Sequence, residues 1–527
     1  MKIIGPVEQA PSNRRYVAFA AGLVALMTVL AALDRLGVPE TLIRFVMFAS
    51  PLVAFIFVGL AYGTVSPNGY LVGDRNVPAG LNGLAIGASI IGGSLFIGLA
   101  DALRLWGAEG YFILAALTGG LYLAGFVFAP YLRRTQALTL PDFFGRKYNS
   151  STLRLLGALV LVGALLPLFL AEVEIAGWLF GALFGLSRQA GVFSVLAILL
   201  LTVLLGGMRS LTWGQAAQAV TLAAAFALPA FYLWLNGDEG SSFAASVSDA
   251  GIAARYLPAA FQGMLSSLSF VELGTLTASI LLGTACLPHI LTRSLVAASP
   301  GVARRSFAWG LAFLAAFFAV AIVYSRQIQW QPTAEEPLLW GNAVGGIPPA
   351  LSGLVWIGAF AATLSTAAGT LVILGGTLAH DVYSHAIDRM TPASRKVFAA
   401  RLAVVGLCLF AGWFALKRPV ELATLVAMSF SLAASGYFPV LVLSIWTRGI
   451  SWTAALAGMV AGIAGSGGYF AGVEYLGMDE LLGVSPLASA AFGVPAGFLA
   501  SLFFHAGEWA HRFSIRGRPP KTAAKSI

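Results

Sequence analysis

Residues 82–101 read "NGLAIGASIIGGSLFIGLAD". The run is apolar enough to enter a bilayer, yet it carries Gly83, Gly87, Gly92, Gly93 and Gly98. Glycine lowers the cost of leaving helical geometry. A helix interrupted inside a membrane strands carbonyls and amides, which is tolerable only where they line a protein cavity. The same glycines also suit close packing of unbroken helices, so a second such span is needed to decide. Residues 272–293, "ELGTLTASILLGTACLPHILTR", supply it: Gly283 is followed by Pro288, which removes a backbone donor. Paired interrupted spans in corresponding parts of a chain point to a transporter built from inverted repeats.

The rest of the sequence fits an all-α polytopic membrane protein. Of 527 residues, 58% are hydrophobic and 10% charged, too little polar surface to cover a soluble domain. Mean hydropathy is +0.85. Runs of roughly 20 apolar residues number about fourteen. They lie near 17–33, 41–64, 82–101, 110–131, 155–184, 190–206, 213–235, 270–288, 306–325, 350–379, 398–416, 421–446, 452–474 and 485–507. The third to seventh and the eighth to twelfth form two five-helix halves, each opening with an interrupted span. The expected divisions are 1–81 (peripheral helices and an inner loop), 82–236 (first repeat), 237–269 (outer loop), 270–446 (second repeat), 447–507 (peripheral helices) and 508–527 (a basic tail). The first span follows Arg14 and Arg15 without a signal-peptide cleavage pattern, so it is expected to be retained.

The net charge of +9 orients the chain rather than marking a nucleic-acid surface. Basic residues concentrate in alternate loops, including "RRTQALTLPDFFGRKYNSSTLR", "RSLVAASPGVARR" and "RMTPASRKVFAAR". That bias places both termini on the cytoplasmic side of a plasma (inner) membrane. The long loops at about 236–269 and 326–349 then lie outside, with the acids Asp238, Glu239, Glu335 and Glu336. Cys286 and Cys408 both fall in apolar spans and support neither a disulfide framework nor a cysteine metal site.

Residues 359–371, "AFAATLSTAAGTL", place Thr363, Ser365, Thr366 and Thr370 where lipid offers no partner. Positions 362, 365, 366 and 369 share one helix face. A sodium ion entering a dry site needs replacement oxygens, and neutral ones permit its release. The competing reading is that the hydroxyls bond back to carbonyls one turn earlier. Thr363 and Thr370 face elsewhere, where packing is the default.

Several stretches together resemble the sodium:solute symporter family, most closely its acetate (monocarboxylate) permease branch. They are "YLVGDRNVPAGLNGLAIGAS", "LTLPDFFGRKY", "LLGGMRSLTWGQAAQ", "GTACLPHILTRSLVAASPGVARRS", "LSTAAGTLVILGGTLAHDVY" and "SFSLAASGYFPVLVLSIW", in order between about residues 70 and 447. The resemblance implies a leucine-transporter-type fold: a 5+5 inverted repeat with peripheral helices. It implies Na+ as coupling ion, held by the carbonyls of Ala88, Ile91 and Ala362 and the hydroxyls of Ser365 and Thr366. The solute pocket would adjoin both breaks, with Ile90, Gly92, Gly93 and Ser94 facing Thr284, and Phe96 at its border. Half-helix N-termini pointing into it suit a carboxylate.

Glu172 complicates that assignment. It lies in "LLPLFLAEVEIAGWLFGALFGL", two residues from Glu174, where many relatives carry a glutamine near the pocket. An intramembrane carboxylate is a functional-site hypothesis by default. Ionised, it would repel an anion; it would instead be protonated, couple a proton, or meet an ammonium. Glu174 points away from it, and pairing with an arginine is the plainer reading. Asp101, Arg104 and Glu109 cluster as an outer gate or a solvated patch, His289 and Arg293 suit an inner gate or structural role, and Asp381 is expected to tie its loop to inner basic residues.

The expected function is sodium-coupled import of a small organic solute, a monocarboxylate such as acetate, pyruvate or lactate. The alternatives are a sodium- or proton-coupled amino-acid symporter, or a transporter-like sensor acting through a signalling partner. No nucleophile–base arrangement, metal-ligand spacing or phosphate loop argues for an enzyme or an organic cofactor.

Overall fold

The computed structural model describes residues 10–106, 108–235, 269–327, 347–388, 390–417, 422–447 and 449–516. Asp238, Glu239, Glu335, Glu336 and the basic tail beyond residue 516 lie outside them. Helices α1 (Ala10–Arg35), α2 (Glu40–Ala61) and the short α3 (Pro67–Val72) come first. The first half comprises α4 (Ala79–Ile90), α5 (Gly93–Trp106), α6 (Ala108–Tyr122), α7 (Ala129–Arg134), α8 (Leu140–Tyr148), α9 (Ser151–Phe184), α10 (Arg188–Val203) and α11 (Met208–Leu235). The second half comprises α12 (Phe270–Cys286), α13 (Pro288–Leu291), α14 (Pro300–Gln327), α15 (Pro349–Thr377), α16 (Ala393–Lys417) and α17 (Leu422–Trp446). Two more, α18 (Trp452–Leu476) and α19 (Ala490–Arg516), close the chain.

Twelve described helices are long and apolar enough to cross a membrane. Two of the expected spans fall short of that length. The third is split into α4 and α5, and the sixth, α10, has only 16 residues.

Both expected interruptions are present. Helix α4 ends where Ile91 turns to φ −82°, ψ 81°. Helix α12 ends at Leu287, with φ −54°, ψ 118°. Pro288 forces that second break, because its ring disfavours helical geometry at the residue before it. Elsewhere helix ends carry ordinary signals. Ser269 and Glu272 form a capping box on α12, Ser150 caps α9, and Gly185 closes α9 in the left-handed conformation at φ 64°.

The packing of the two halves is related by exchange. Helix α4 packs on α14 and α11, while α12 packs on α6 and α17. Likewise α11 packs on α15 as α17 packs on α9, and α9 on α10 as α15 on α16. Replacing each helix of the first half by its counterpart in the second converts one set of contacts into the other. Helix α2 packs outside this core against α15, α10 and α11; α18 and α19 pack on each other and on α17. At the centre lies α15, every residue of which is buried.

Several basic loops meet at one end of the bundle. Val77 pairs with Ala297 in an isolated bridge, Arg133 donates to the carbonyls of Ala297 and Ala298, and Arg401 donates to those of Thr64 and Leu205.

Candidate functional site

The break in α4 redirects two amides. In a continuous helix the Gly92 N–H would bond the Ala88 carbonyl and the Gly93 N–H that of Ser89. Here Gly92 N–H turns to Ile90 O at 3.0 Å, and Gly93 N–H donates to Glu172 Oε2 at 2.9 Å. The Ala88 and Ser89 carbonyls are thereby freed. Glycine is required at 92 and 93 by close approach: a Cβ on Gly92 would strike the Glu172 carboxylate, and one on Gly93 the Thr363 methyl and Ile175. The carboxylate also sits at the N-terminus of α5, where the helix dipole favours negative charge.

The freed carbonyls face α15. Ser365 Oγ lies 2.6 Å from Ala88 O and 2.8 Å from Ala362 O. Thr366 Oγ1 lies 3.2 Å from Ser89 O and 3.4 Å from Ala362 O. Five oxygens thus converge with only two hydroxyl protons among them, and each proton serves one acceptor at a time. Such a set has lone pairs to spare for a cation. Ser365 and Thr366 are buried.

Of the expected cation ligands, Ala88, Ala362, Ser365 and Thr366 come together. Ile91 is buried at the kink, its amide bonding Gly87 O at 3.1 Å, and among the described residues its carbonyl takes no part in the bonds to α15. Back-bonding by the hydroxyls also occurs, since both reach Ala362 O. The back-bonding reading is thus observed, and the same hydroxyls also reach the α4 carbonyls that the cation reading names. Thr363 and Thr370 bond only to carbonyls of their own helix.

A cavity of about 190 Å³ adjoins this set. Ile90, Gly92, Ser94, Glu172 and Thr284 line it, while Gly93 stands just behind them with its amide on Glu172. The wall is otherwise mostly Leu, Ile, Val and Phe430, with Ser89, Ser279, His289 and Thr366 as further polar members. Among the described residues no Lys or Arg lines it. Phe96 does not line it but packs against Phe226 and Phe317.

Two groups were missed from sequence, and a third, Glu172, was expected at the pocket but not as a partner of the break. The Ser89 carbonyl faces both Thr366 and His289, whose Nε2 is 3.3 Å away. Gln215 on α11 reaches Ser89 Oγ at 2.9 Å and the Ser365 carbonyl at 2.6 Å. Glu172 holds the break itself. Only glutamine's proximity to "GGMRSLTW" hinted at the second, and nothing in the pattern named its partners.

Glu174 pairs with Arg188, whose guanidinium also meets the Ala415 carbonyl. Asp381 does not pair with a basic residue as expected: Thr139 donates to its Oδ2 at 2.6 Å, and among the described residues no Lys or Arg forms an ion pair with it. Beside it, Asp142 takes Arg146 and Arg154 at 2.7 Å each and the Leu138 amide at 2.9 Å, with His380 Nε2 3.8 Å away. Burial pushes the Asp142 carboxyl up, but His380, the Leu138 amide and Arg154 outweigh it and hold the group well below the usual range. The cluster of Asp142, His380 and Asp381 has the geometry of a metal site, yet two arginines already pair with Asp142. The side chains of Asp101, Arg104 and Glu109 lie outside the described residues.

A profile described as the sodium:solute symporter family matches residues 70–462. An uncharacterised symporter of Cupriavidus necator is 27% identical, the alignment covering 94% of this chain and 96% of that protein. A monocarboxylic acid transporter of Corynebacterium glutamicum is 26% identical over 83% of this chain and 85% of its own. Among solved structures, a Na+-coupled sialic acid symporter in a substrate-bound, outward-open state superposes with a TM-score of 0.68 at 15% identity. That superposition covers 88% of this chain and 97% of the other. The fold is accordingly of the leucine-transporter type, as the two broken helices and the exchange-related packing require.

Proposed function

The chain belongs to the sodium:solute symporter family, and from that premise we propose that it imports a small monocarboxylate such as acetate, pyruvate or lactate together with Na+. It is a sodium-coupled symporter integral to a membrane; the solute and the residues that bind it are the proposal. The observation that carries it is the reach of Ser365 Oγ to Ala88 O across the break in α4. Sodium would be held by Ala88, Ala362, Ser365 and Thr366, with Ile91 supplying a further carbonyl on small rotation of the kink. Bridging the broken helix of one repeat to the straight helix of the other, the ion favours the arrangement in which the solute pocket is formed. A ligand shifts such an equilibrium by its differential affinity for the two states.

The small, largely apolar cavity supports a compact organic solute, and the name of the Corynebacterium relative supports a monocarboxylate. Ile90, Gly92, Gly93, Ser94, Glu172 and Thr284 would surround it. The basic loops gathered at one end support a cytoplasmic placement of that end in a plasma (inner) membrane, with the six divisions of the chain as laid out above. A second reading, an amino acid or other amine, is favoured by one observation: among the described residues Glu172 is the only acid in the cavity wall, and no Lys or Arg accompanies it.

Uptake of labelled acetate, pyruvate, lactate and a panel of amino acids into proteoliposomes tests the proposal. Saturable monocarboxylate uptake that requires an inward sodium gradient is expected. Sodium-dependent uptake of amino acids alone would transfer the reading to the second solute class, and uptake indifferent to sodium would contradict both.

A further inference from the structure

Gln215 sits at the start of α11 with no exposed surface. Its Nε2 lies 2.9 Å from the Ser89 hydroxyl on α4 and 2.6 Å from the Ser365 carbonyl on α15. One nitrogen thus spans the same two helices that the proposed ion would span. Space for it exists because residue 369, on the cage face of α15, is glycine: a Cβ there would come within 3.2 Å of Nε2.

The amide has a fixed direction. Its Oε1 accepts from the Arg293 guanidinium, which also donates to Thr212 Oγ1 at 3.0 Å. Guanidinium has only donors, so it holds the oxygen toward itself and turns the NH2 toward Ser89 and Ser365. Arg293 is fully buried, and among the described residues no carboxylate lies within ion-pair distance of it. Its own carbonyl accepts from Asn82 Nδ2 at 2.9 Å, on α4. A buried charge met by two neutral acceptors alone, with its Nε unpartnered among the described residues, is expensive, and what it does here is orient Gln215.

We propose that Gln215, oriented by Arg293, is a positioning residue that latches α4 to α15 beside the cation ligands. Separation of α4 from α15 then requires at least one of the two bonds from that nitrogen to break. The latch restrains inward opening and sets how much sodium is needed to hold the closed arrangement. This inference rests on the cation reading of Ser365 and Thr366.

The test is sodium-dependent uptake in proteoliposomes for Gln215→Met, Arg293→Met, the double variant and Arg293→Lys, each checked for monodispersity and melting temperature. Without the latch, inward-open protein accumulates, and the fraction able to bind external sodium falls. The half-saturating sodium concentration should rise about threefold or more in Gln215→Met, with solute KM at saturating sodium unchanged. Arg293→Met should match it, the double variant should add nothing further, and Arg293→Lys should recover part of the loss. Single effects that multiply in the double variant, a change in solute KM alone, or no change in sodium dependence would each overturn the latch. If Gln215→Met fails to fold, Arg293→Met against Arg293→Lys carries the same decision. Should Ser365→Ala shift sodium dependence while Gln215→Met does not, the latch fails and the cation reading stands; the reverse result removes the cation reading and overturns the latch as a device set beside those ligands.

Discussion

Glu172 Oε2 accepts the Gly93 amide at 2.9 Å, and that one bond links the solute cavity to the break that frees the Ser89 carbonyl. The carboxylate sits at the N-terminus of α5, where the helix dipole favours negative charge. Its role as a stabiliser of the interruption is therefore separable from any contact with solute.

Glu172→Gln keeps an oxygen acceptor for the Gly93 amide, whereas Glu172→Leu removes it. The half-saturating sodium concentration should rise in Glu172→Leu and stay near the parent value in Glu172→Gln, although neither side chain touches the cation ligands. Sodium titration of uptake in both variants checks this. Equal shifts in the two would mean that the charge, and not the acceptor, supports the break.

Gly93→Ala should abolish uptake. The added methyl meets the Thr363 methyl and Ile175 in a fully packed interior. Overpacking of this kind costs about 1–3 kcal/mol, which a lowered melting temperature would report. A parallel Gly80→Ala change, where nothing lies within 4 Å of the added carbon, should leave transport intact.

Asp142→Ala should destabilise the chain by about 3–5 kcal/mol, the usual cost of leaving a buried guanidinium unpaired. Arg154 is the partner left behind, at 2.7 Å in the parent. The folded-state carboxyl titrates below its unfolded value, so its stabilisation is complete above about pH 4 and is lost as pH falls toward the folded value. Melting temperatures recorded from pH 7 to pH 3 should fall at the acid end in the parent and show less of that slope in Asp142→Asn.

The interruptions were legible because glycine and proline act locally: Gly92 and Gly93 lower the cost of a break, and Pro288 disfavours helix at the residue before it. The shared face of Ala362, Ser365 and Thr366 was legible from helical spacing for the same reason. What eluded the sequence lies between segments far apart in the chain. Gln215 meets residues 126 and 150 positions away, and no periodicity relates them. Asp142 and His380 are brought together by the short helix α8 and the π-helical turn Leu378–Ile387 that follows α15, a wide turn that no local pattern announces. The sixth span was read as full length because its apolar run continues past Val203, where the helix in fact gives way to a turn at Gly206 and Gly207.

Uncharged oxygens from the end of a kinked helix and from the straight helix facing it are what this account asks to hold a metal cation, and removing two of them is the most direct trial. In Ser365→Ala/Thr366→Ala, sodium titration of solute uptake should show the half-saturating concentration raised about tenfold or more, equivalent to roughly 1.4 kcal/mol of lost binding. A double variant that folds, transports and responds to sodium as the parent does would contradict the account.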